Sequence, residues 1–492
     1  MSISKKGNFG MKKRLTELLN TVKAIQVTGK AELNEIDNIS INSNNVKKGT
    51  IFFAIKGYKT DGHNFIIDAI NNGASAVVLQ DNNFAPEQLF IHSGCVKILV
   101  ENSRKALSDI SAALYNYPTK NLKLIGITGT KGKTTTTNFI KSVFGNSKCG
   151  LIGTIKIELG NKQIESKLTT PEANDLNKYF SEMLSEGCNA AVMEVSSHSL
   201  ELHRVDNLDF DIAIFTNLAH DHLDFHGTIE NYLLAKKKLF DNLKPEAIAI
   251  VNADDKASKK LVKNCKAKIF TYGFNKNADF RIVDVTYSLN GTIFNVMYNN
   301  CSYKLETTLI GVFNAYNACS AFAAGVLSGI EIKKVIKLIK QTKQVPGRFE
   351  VISKGNKKAV VDYSHTPESL EHTLKAIKEI NKNNYPIYTV FGCGGDRDKT
   401  KRPIMGNIAS EYSTMAIVTS DNPRTEDPKL IIEDIVRGIN KNNYKMFVDR
   451  EDAIKFAIVS SPEKAIVLVA GKGHEDYIEI NGVRTHFSDK EK

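Results

Sequence analysis

The chain has 492 residues, too many for one hydrophobic core when single domains run to about 100–200, so about two to four domains are expected. With 42% hydrophobic and 24% charged residues it has the composition of an ordinary globular protein, which excludes a disordered, fibrous or membrane-embedded chain. Subtracting 54 acidic from 66 basic side chains leaves +12, a balance that favours polyanionic partners without separating nucleic acid, membrane surface and phosphorylated small molecules.

The segment Met1–Leu15 is charged and lacks the apolar stretch of a signal peptide, and Met11 is a second candidate start. Residues 1–118 mix short apolar runs, Thr50–Ile55 and Ala76–Leu79, with a helical stretch, Ser103–Tyr115, that Asn116-Tyr117-Pro118 stops. Residues 119–345 open on a buried strand, Leu122–Ile127, that runs straight into a glycine-rich turn. Strand-like runs at Ala190–Val195, Ile212–Thr216 and Ala247–Val251 follow, separated by helical stretches. The weakly polar run Phe313–Ile330 reads as a buried helix and not a membrane span, because Asn314, Asn317, Ser320 and Ser328 interrupt it. Pro346-Gly347 breaks the chain after the amphipathic stretch Glu331–Lys340. Residues 346–492 repeat the alternation, with strands at Ala359–Val361, Ile387–Phe391, Met415–Val418 and Ala465–Val469 and helices around Glu368–Ile380 and Ile431–Ile439. Such alternation predicts an α/β protein with parallel, doubly wound sheets, whose ligands sit beyond the carboxyl ends of the strands. Seven cysteines without a Cys-x-x-Cys pair give neither a disulfide framework nor a zinc pattern, so a reducing, cytoplasmic setting is expected.

The sharpest local signal is Gly126-Ile127-Thr128-Gly129-Thr130-Lys131-Gly132-Lys133-Thr134-Thr135. A strand, a glycine-rich turn and a Gly-Lys-Thr entering a helix make a phosphate cradle: backbone N–H groups hold phosphate oxygens, Lys133 neutralises charge and the Thr134 hydroxyl can ligate Mg²⁺. The strict motif would place glycine where Ile127 stands; Gly129 and Gly132 still allow the close approach. Nucleoside triphosphate binding follows.

Glu194 ends a strand, and Asn217–His226 packs imidazoles and carboxylates into one short segment. Near a triphosphate these suggest a second divalent ion, although alone a His/Asp-rich loop is more often solvated or capping. Thr170 would cap a helix starting near Pro171. Lys236-Lys237-Lys238 reads as solvated surface charge. Gly392–Lys399 lacks a helix-opening Lys-Thr and is no second phosphate loop; its charges suit either pairing with a zwitterionic substrate or a turn closed by Asp–Arg contacts, and spacing alone does not separate the two. With Asp421-Asn422-Pro423-Arg424 and Gly471-Lys472-Gly473-His474-Glu475, it supplies two arginines, an Asn and a Glu that together suit a ligand with two carboxylates and two amines.

The Gly-Thr-Lys-Gly-Lys-Thr-Thr loop resembles that of the Mur ligases and folylpolyglutamate synthetases, ATP-dependent enzymes that join an amine to a carboxylate, and ordered motifs extend the resemblance from about residue 25 to the C-terminus. It implies a UDP-binding domain over 1–118, a central P-loop ATPase-like domain over 119–345 and a Rossmann-like amino-acid-binding domain over 346–492. In the family's terms Gly129, Thr130, Lys131, Gly132, Lys133, Thr134, Thr135, Asn314, Asn317, Arg348 and Asp362 bind ATP. Thr134, Glu194 and His222 hold Mg²⁺ together with Lys236, which is carbamylated in the family. Lys133, His222 and Lys236 form the catalytic set. Ser43, in Asn42-Ser43-Asn44, matches an Asp-Ser-Arg element holding the uracil–diphosphate end of the substrate, with both flanking residues changed. Thr169, Thr170, Ser197 and Arg204 resemble the elements that bind UDP-muramoyl-dipeptide. Arg397, Asp421, Asn422, Arg424, Gly471 and Glu475 match the amino-acid end, and Asp-Asn-Pro-Arg is the form found in the meso-diaminopimelate-adding members.

The resemblance thus implies a cytoplasmic, monomeric ligase of peptidoglycan precursor synthesis that uses ATP and Mg²⁺, works through an acyl phosphate and has no nucleic-acid partner or membrane insertion. The alternatives are a lysine-adding or other diamino-acid-adding member, a folylpolyglutamate synthetase, and a basic nucleic-acid-binding ATPase, the last disfavoured by the absence of tryptophan and of any recognition fold. Of the basic residues, only Lys133, Arg204, Arg348, Arg397 and Arg424 are expected to be informative, the rest being solvated surface.

Overall fold

The computed structural model describes residues 12–58, 60–219, 221–355 and 357–492; the candidate starts Met1 and Met11, and His220 of the imidazole-rich segment, lie outside them. The chain forms two compact units, one of residues up to Arg281 with Ala323–Ile330, the other of Ile282–Phe322 with Glu331–Lys492.

The first unit holds two sheets. The N-terminal one runs in the order Ala24–Thr28, Val96–Val100, Ala76–Leu79, Thr50–Phe53, Asn38–Ser40, with the first pair antiparallel and the rest parallel. Thr50–Phe53 and Ala76–Leu79 are buried at every position because both faces are covered. Phe53 and Val78 pack with Leu107 and Ile110 of the helix Ser103–Leu114, while Phe52 and Val77 pack with Ile66 and Ala69 on the other face.

In the second sheet, Cys149–Ile152, Ala190–Glu194, Lys123–Thr128, Phe210–Phe215, Ile248–Asn252 and Lys268–Gly273 are neighbours in that order and all parallel. Its register decides where the chemistry lies. Ile127 pairs with Glu194 and Thr128 with Phe215, so three strands end level. The residues that follow them, Gly129, Val195 and Thr216, therefore share one edge, the ligand edge of an open parallel sheet. Gly126 is required there: a Cβ would lie 2.6 Å from the Phe210 ring.

In the second unit, Lys357–Asp362, Ile466–Ala470, Ile387–Phe391, Met415–Val418 and Tyr444–Met446 are parallel neighbours, with Glu350–Lys354 antiparallel at the edge. Helices cover both faces, giving two core clusters around Val360/Leu468 and Val361/Val467. The helix expected at Ile431–Ile439 runs instead from Pro428 to Val436, because the Asp427 carboxylate caps the Lys429 N–H and Pro428 fits the first turn.

Two expectations fail for one reason, helical and strand periodicity overriding local composition. Lys236 is only 1% exposed: Tyr232, Lys236, Leu239 and Phe240 lie on the inward stripe of the helix Ile229–Asp241, while Lys237 and Lys238 turn out to Asp241 and Glu201. Nor are the remaining basic residues all solvated. Arg402 is buried against Glu426 and Asp434, Arg450 pairs with Asp489 at 2.7 Å, and Lys97 and Lys472 are buried. Among the described residues no helix is long and apolar enough to cross a membrane.

Candidate active site

The phosphate loop is shaped by two glycines, Gly129 at φ +149° and Gly132 at φ +88°, before the helix Lys133–Phe144. A Cβ on Gly129 would stand 1.9 Å from Thr216 Oγ1, so only glycine fits. The neighbouring strand end holds the loop. Thr130 N donates to Asn217 O at 2.9 Å, Lys131 N to Asn217 Oδ1 at 3.0 Å, and Thr216 Oγ1 to Lys131 O at 2.7 Å. Lys133 Nζ rests on the carbonyls of Gly129 and Thr130 at 2.8 and 3.0 Å, while Lys131 is exposed and Thr135 buried. Cradle, lysine and helix N-terminus together make an anion site.

Glu194, 1% exposed, is the hub beside it. Its Oε2 accepts the hydroxyls of Thr134 at 3.1 Å and Thr154 at 3.0 Å, and its Oε1 accepts Thr154 N–H at 2.9 Å. Gly153 permits this approach, since a Cβ there would come within 2.7 Å of Glu194 Oε1. With its one proton on Glu194, Thr154 Oγ1 accepts the Thr169 hydroxyl at 3.1 Å, joining the expected substrate threonines to the carboxylate. Thr170 is not a helix cap. Its hydroxyl donates to Glu194 O at 2.8 Å and accepts Ser196 N–H at 3.1 Å, and the helix Ala173–Ser185 starts after Glu172 with no side-chain cap. A bond from the loop to the end of the strand Ala190–Glu194 thus replaces the local one.

Arg204 donates to Thr170 O at 3.0 Å and pairs with Glu172 at 2.7 Å, and Arg104 of the N-terminal module approaches the same carboxylate at 3.8 Å. Ser197 bonds His226 Nε2 at 2.9 Å. Ser43 opens the turn Ser43–Asn45, where Asn42 caps Asn44 N–H at 3.0 Å; the asparagine that departs from the family pattern keeps the local turn.

His222 is held at φ +53°, its ring 4.9 Å from that of His198 and 6.0 Å from that of Tyr232. Burial lowers the pKa of His222. Burial also lowers that of His198, helped by His222 and His226, to about 4, which favours neutral imidazoles. Lys236 Nζ donates to Gly129 O at 3.1 Å and lies 4.2 Å from the Tyr232 ring centre. Burial, reinforced by Lys133, pushes its pKa well below the ordinary lysine value, favouring the free amine. Tyr232 itself bonds Thr130 Oγ1 at 3.2 Å.

In the second unit Asn314 and Asn317 are buried and bonded to each other at 3.1 Å, with Asn314 Nδ2 on Ile310 O. Asp362 accepts Phe349 N–H at 2.7 Å and the Ser364 hydroxyl. The Arg348 guanidinium stacks 4.8 Å from the Tyr363 ring centre. Arg424, at φ +52°, donates to Gly395 O at 2.7 Å, and Asn422 Nδ2 donates to Glu475 Oε2 at 3.0 Å. Gly394 leaves room for the guanidinium, since a Cβ there would lie 2.9 Å from Arg424 Nη1; a Cβ on Gly395 would overlap Pro423 O at 1.9 Å, and one on Gly471 would lie 2.8 Å from Asp421 Oδ2. Arg397 is exposed and donates to the Asp396 carbonyl, so of the two readings of this loop the Asp–Arg closure is not the one Arg397 makes. Asp396 bonds Thr425 instead, and its N–H donates to Glu426, which Arg402 holds.

Sequence reasoning missed Thr154, Tyr232 and Lys472. Thr154 carries no motif and reaches Glu194 only through strand order; Tyr232 and Lys236 are one helical turn apart, a spacing that was legible.

Residues 35–115 match the Mur ligase family catalytic domain, 127–325 the Mur ligase middle domain and 347–473 the Mur ligase glutamate ligase domain. The chain is 43% identical over 462 residues to a UDP-N-acetylmuramoyl-L-alanyl-D-glutamate–2,6-diaminopimelate ligase of Clostridium botulinum, covering 93% of this chain and 94% of that one. It is 42% identical over 466 residues to the like-named ligase of Bacillus cereus, covering 93% of each. Among solved structures, a ligase of the same name aligns at TM-score 0.70 and 33% identity over 98% of this chain and 97% of that one. A UDP-N-acetylmuramoylalanyl-D-glutamyl-2,6-diaminopimelate–D-alanyl-D-alanyl ligase from Acinetobacter baumannii, at 18% identity, shares the fold with TM-score 0.66 over 94% of this chain and 96% of that one. The chain belongs to the Mur ligase family.

Proposed function

We propose that the chain adds meso-diaminopimelate to the D-glutamyl γ-carboxylate of UDP-N-acetylmuramoyl-L-alanyl-D-glutamate, with ATP converted to ADP and phosphate. We assign UDP binding to 1–118, ATP binding to 119–345 and amino-acid binding to 346–492. The observation that carries the reading is the loop Asp421–Arg424, which sets an arginine on Gly395 O and an Asn–Glu pair side by side. That is a carboxylate reader next to an ammonium reader, as a diamino diacid requires.

A carboxylate is a poor electrophile at neutral pH, so the γ-carboxylate first takes the γ-phosphoryl group, and the amine then displaces phosphate from the acyl phosphate. Lys133 and the loop N–H groups stabilise charge on the transferring group, a positional and electrostatic role. Arg204 and the Thr169–Thr170 pair orient the UDP-linked substrate beside Glu194. Asn314, Asn317, Arg348 and Asp362 are assigned to ATP, and Arg397, Arg424, Asn422, Asp421, Gly471 and Glu475 to the amino acid.

The donor set suits Mg²⁺: Thr134 offers a hydroxyl bonded to the buried Glu194 carboxylate, and His222 a neutral imidazole. Among the described residues no three His, Cys, Asp or Glu side chains converge as a cage, so a further acid has to come from elsewhere. Lys236 as a carbamate supplies it, and its depressed pKa leaves the amine free to take up CO₂. Mg²⁺ held there would neutralise phosphate charge.

Phosphate release with each substrate omitted in turn tests the reading. Release is expected only when ATP, the UDP-dipeptide and an amine are all present; release without an amine, or release stimulated by RNA, refutes it.

A further inference from the structure

Lys472 belongs to the turn after the strand Ile466–Ala470, and its side chain has no exposed surface. Its Nζ donates to Asn422 Oδ1 at 3.1 Å and stands 3.7 Å from Asp421 Oδ1 and 3.6 Å from Glu475 Oε2. The Tyr477 ring centre is 5.4 Å away. A buried lysine is costly unless its charge is used, and a methionine of similar length would pack without that cost.

The use is visible in the amide it touches. Asn422 Oδ1 accepts a second hydrogen bond, from Glu479 N–H at 3.0 Å. Two donors converge on that atom, so the side-chain NH₂ has to point the other way, and it donates to Glu475 Oε2 at 3.0 Å. The second Glu475 oxygen accepts the Tyr363 hydroxyl at 3.4 Å. The orientation of Asn422, and through it that of Glu475, therefore depends on the ammonium behind them. Without it, Asp421 and Glu475 would lose a buried cation within 4 Å of each and be left with the more distant Arg450, and Asn422 would keep its bonds to the Glu479 amide and Glu475 but lose the charged donor on Oδ1.

We propose that Lys472 is a positioning residue for the amino-acid substrate, fixing the Asn422 amide and offsetting the Asp421 and Glu475 carboxylates so that these groups meet the diamino acid in one arrangement. This rests on the proposed function, since it takes Asn422 and Glu475 as substrate contacts.

The test uses full-length Lys472→Met and Lys472→Gln, the second keeping a neutral donor for Asn422 Oδ1. Steady-state phosphate release is measured while each of the three substrates is varied, with melting temperatures recorded alongside. KM for meso-diaminopimelate is expected to rise roughly 10- to 100-fold in Lys472→Met and by less in Lys472→Gln, the range for losing a hydrogen bond to a charged group. KM for ATP and for the UDP-dipeptide should stay within about twofold of the parent, a split that a merely structural role would not produce. An unchanged KM for the diamino acid overturns the proposal, as does an equal rise in all three. If Lys472→Met does not fold, Lys472→Gln decides; failure of both to fold assigns the residue to stability and counts against the proposal. A parent enzyme that does not consume meso-diaminopimelate refutes the functional reading, whereas a parent that does, with unaffected variants, refutes the role of Lys472 alone.

Discussion

Replacing Glu194 by glutamine separates the structural role of that carboxylate from its chemical one. Three donors meet it: the Thr154 N–H on Oε1 and the hydroxyls of Thr134 and Thr154 on Oε2. The amide N–H can only donate, so a glutamine would keep its oxygen there and turn its NH₂ toward the two hydroxyls. Each hydroxyl can rotate and accept, leaving no bond lost. Charge-assisted bonds of about 1.5–3 kcal/mol become neutral ones of about 0.5–1.5 kcal/mol. Against that, the cost of burying a carboxylate, several kcal/mol, disappears. The two nearly cancel, and Glu194→Gln should lie within about 2 kcal/mol of the parent in urea unfolding.

Activity has no such compensation. A full charge at contact distance from a cation contributes about 4 kcal/mol at the effective dielectric of a protein surface. Its loss lowers kcat/KM for phosphate release by roughly 10³-fold. Glu194→Ala, which strands the Thr154 N–H, should be the less stable variant by a further ~1–3 kcal/mol. Glu194→Gln activity within about tenfold of the parent, or a stability loss beyond about 4 kcal/mol, would refute the reasoning.

Gly129→Ala forces a Cβ against Thr216 Oγ1 and a rare backbone conformation, so strain of about 1–3 kcal/mol should appear as a roughly tenfold or larger rise in KM for ATP, read with a nucleotide-binding titration as control. Lys236→Ala should lose at least about 100-fold in kcat and regain part of it with millimolar formate or acetate, which can occupy the place of a carbamate; full activity without rescue contradicts the assignment. His474, whose pKa burial and then Arg348 lower to about 4, stays neutral in the folded chain. Its contribution is complete above the unfolded value of about 6.5 and is lost as pH falls toward the folded value, because only the unfolded chain takes up the proton in that window. Urea unfolding between those limits should show His474→Gln with a shallower slope, by up to about 1.4 kcal/mol per pH unit, and identical slopes contradict it.

What was legible in the sequence follows from how far each signal reaches along the chain. The strand–loop–helix from Leu122 to Phe144 is contiguous, and its glycines, lysine and threonine state their own chemistry. The Asp421–Arg424 and Gly471–Glu475 segments were readable as types, and parallel pairing with shared strand ends explains why they meet. Composition alone misplaced Lys236 on the surface because a run of three lysines hides its position on the Tyr232–Phe240 stripe; only the family resemblance singled it out. Thr154 was invisible because its partner lies forty residues away, at the end of a strand that is its neighbour only in space. Thr170 was assigned to a local cap that a bond to the strand end at Glu194 outcompetes.

The most direct test of the account is a single competition. ATP, UDP-N-acetylmuramoyl-L-alanyl-D-glutamate and equal concentrations of meso-diaminopimelate and L-lysine are incubated with the enzyme, and the products are weighed by mass spectrometry. The account rests on Arg424, poised on Gly395 O, to read the second carboxylate that lysine lacks. It expects the diaminopimelate adduct to exceed the lysine adduct by about 100-fold or more, and that preference to collapse in Arg424→Ala. Comparable amounts of the two adducts from the parent enzyme would contradict it.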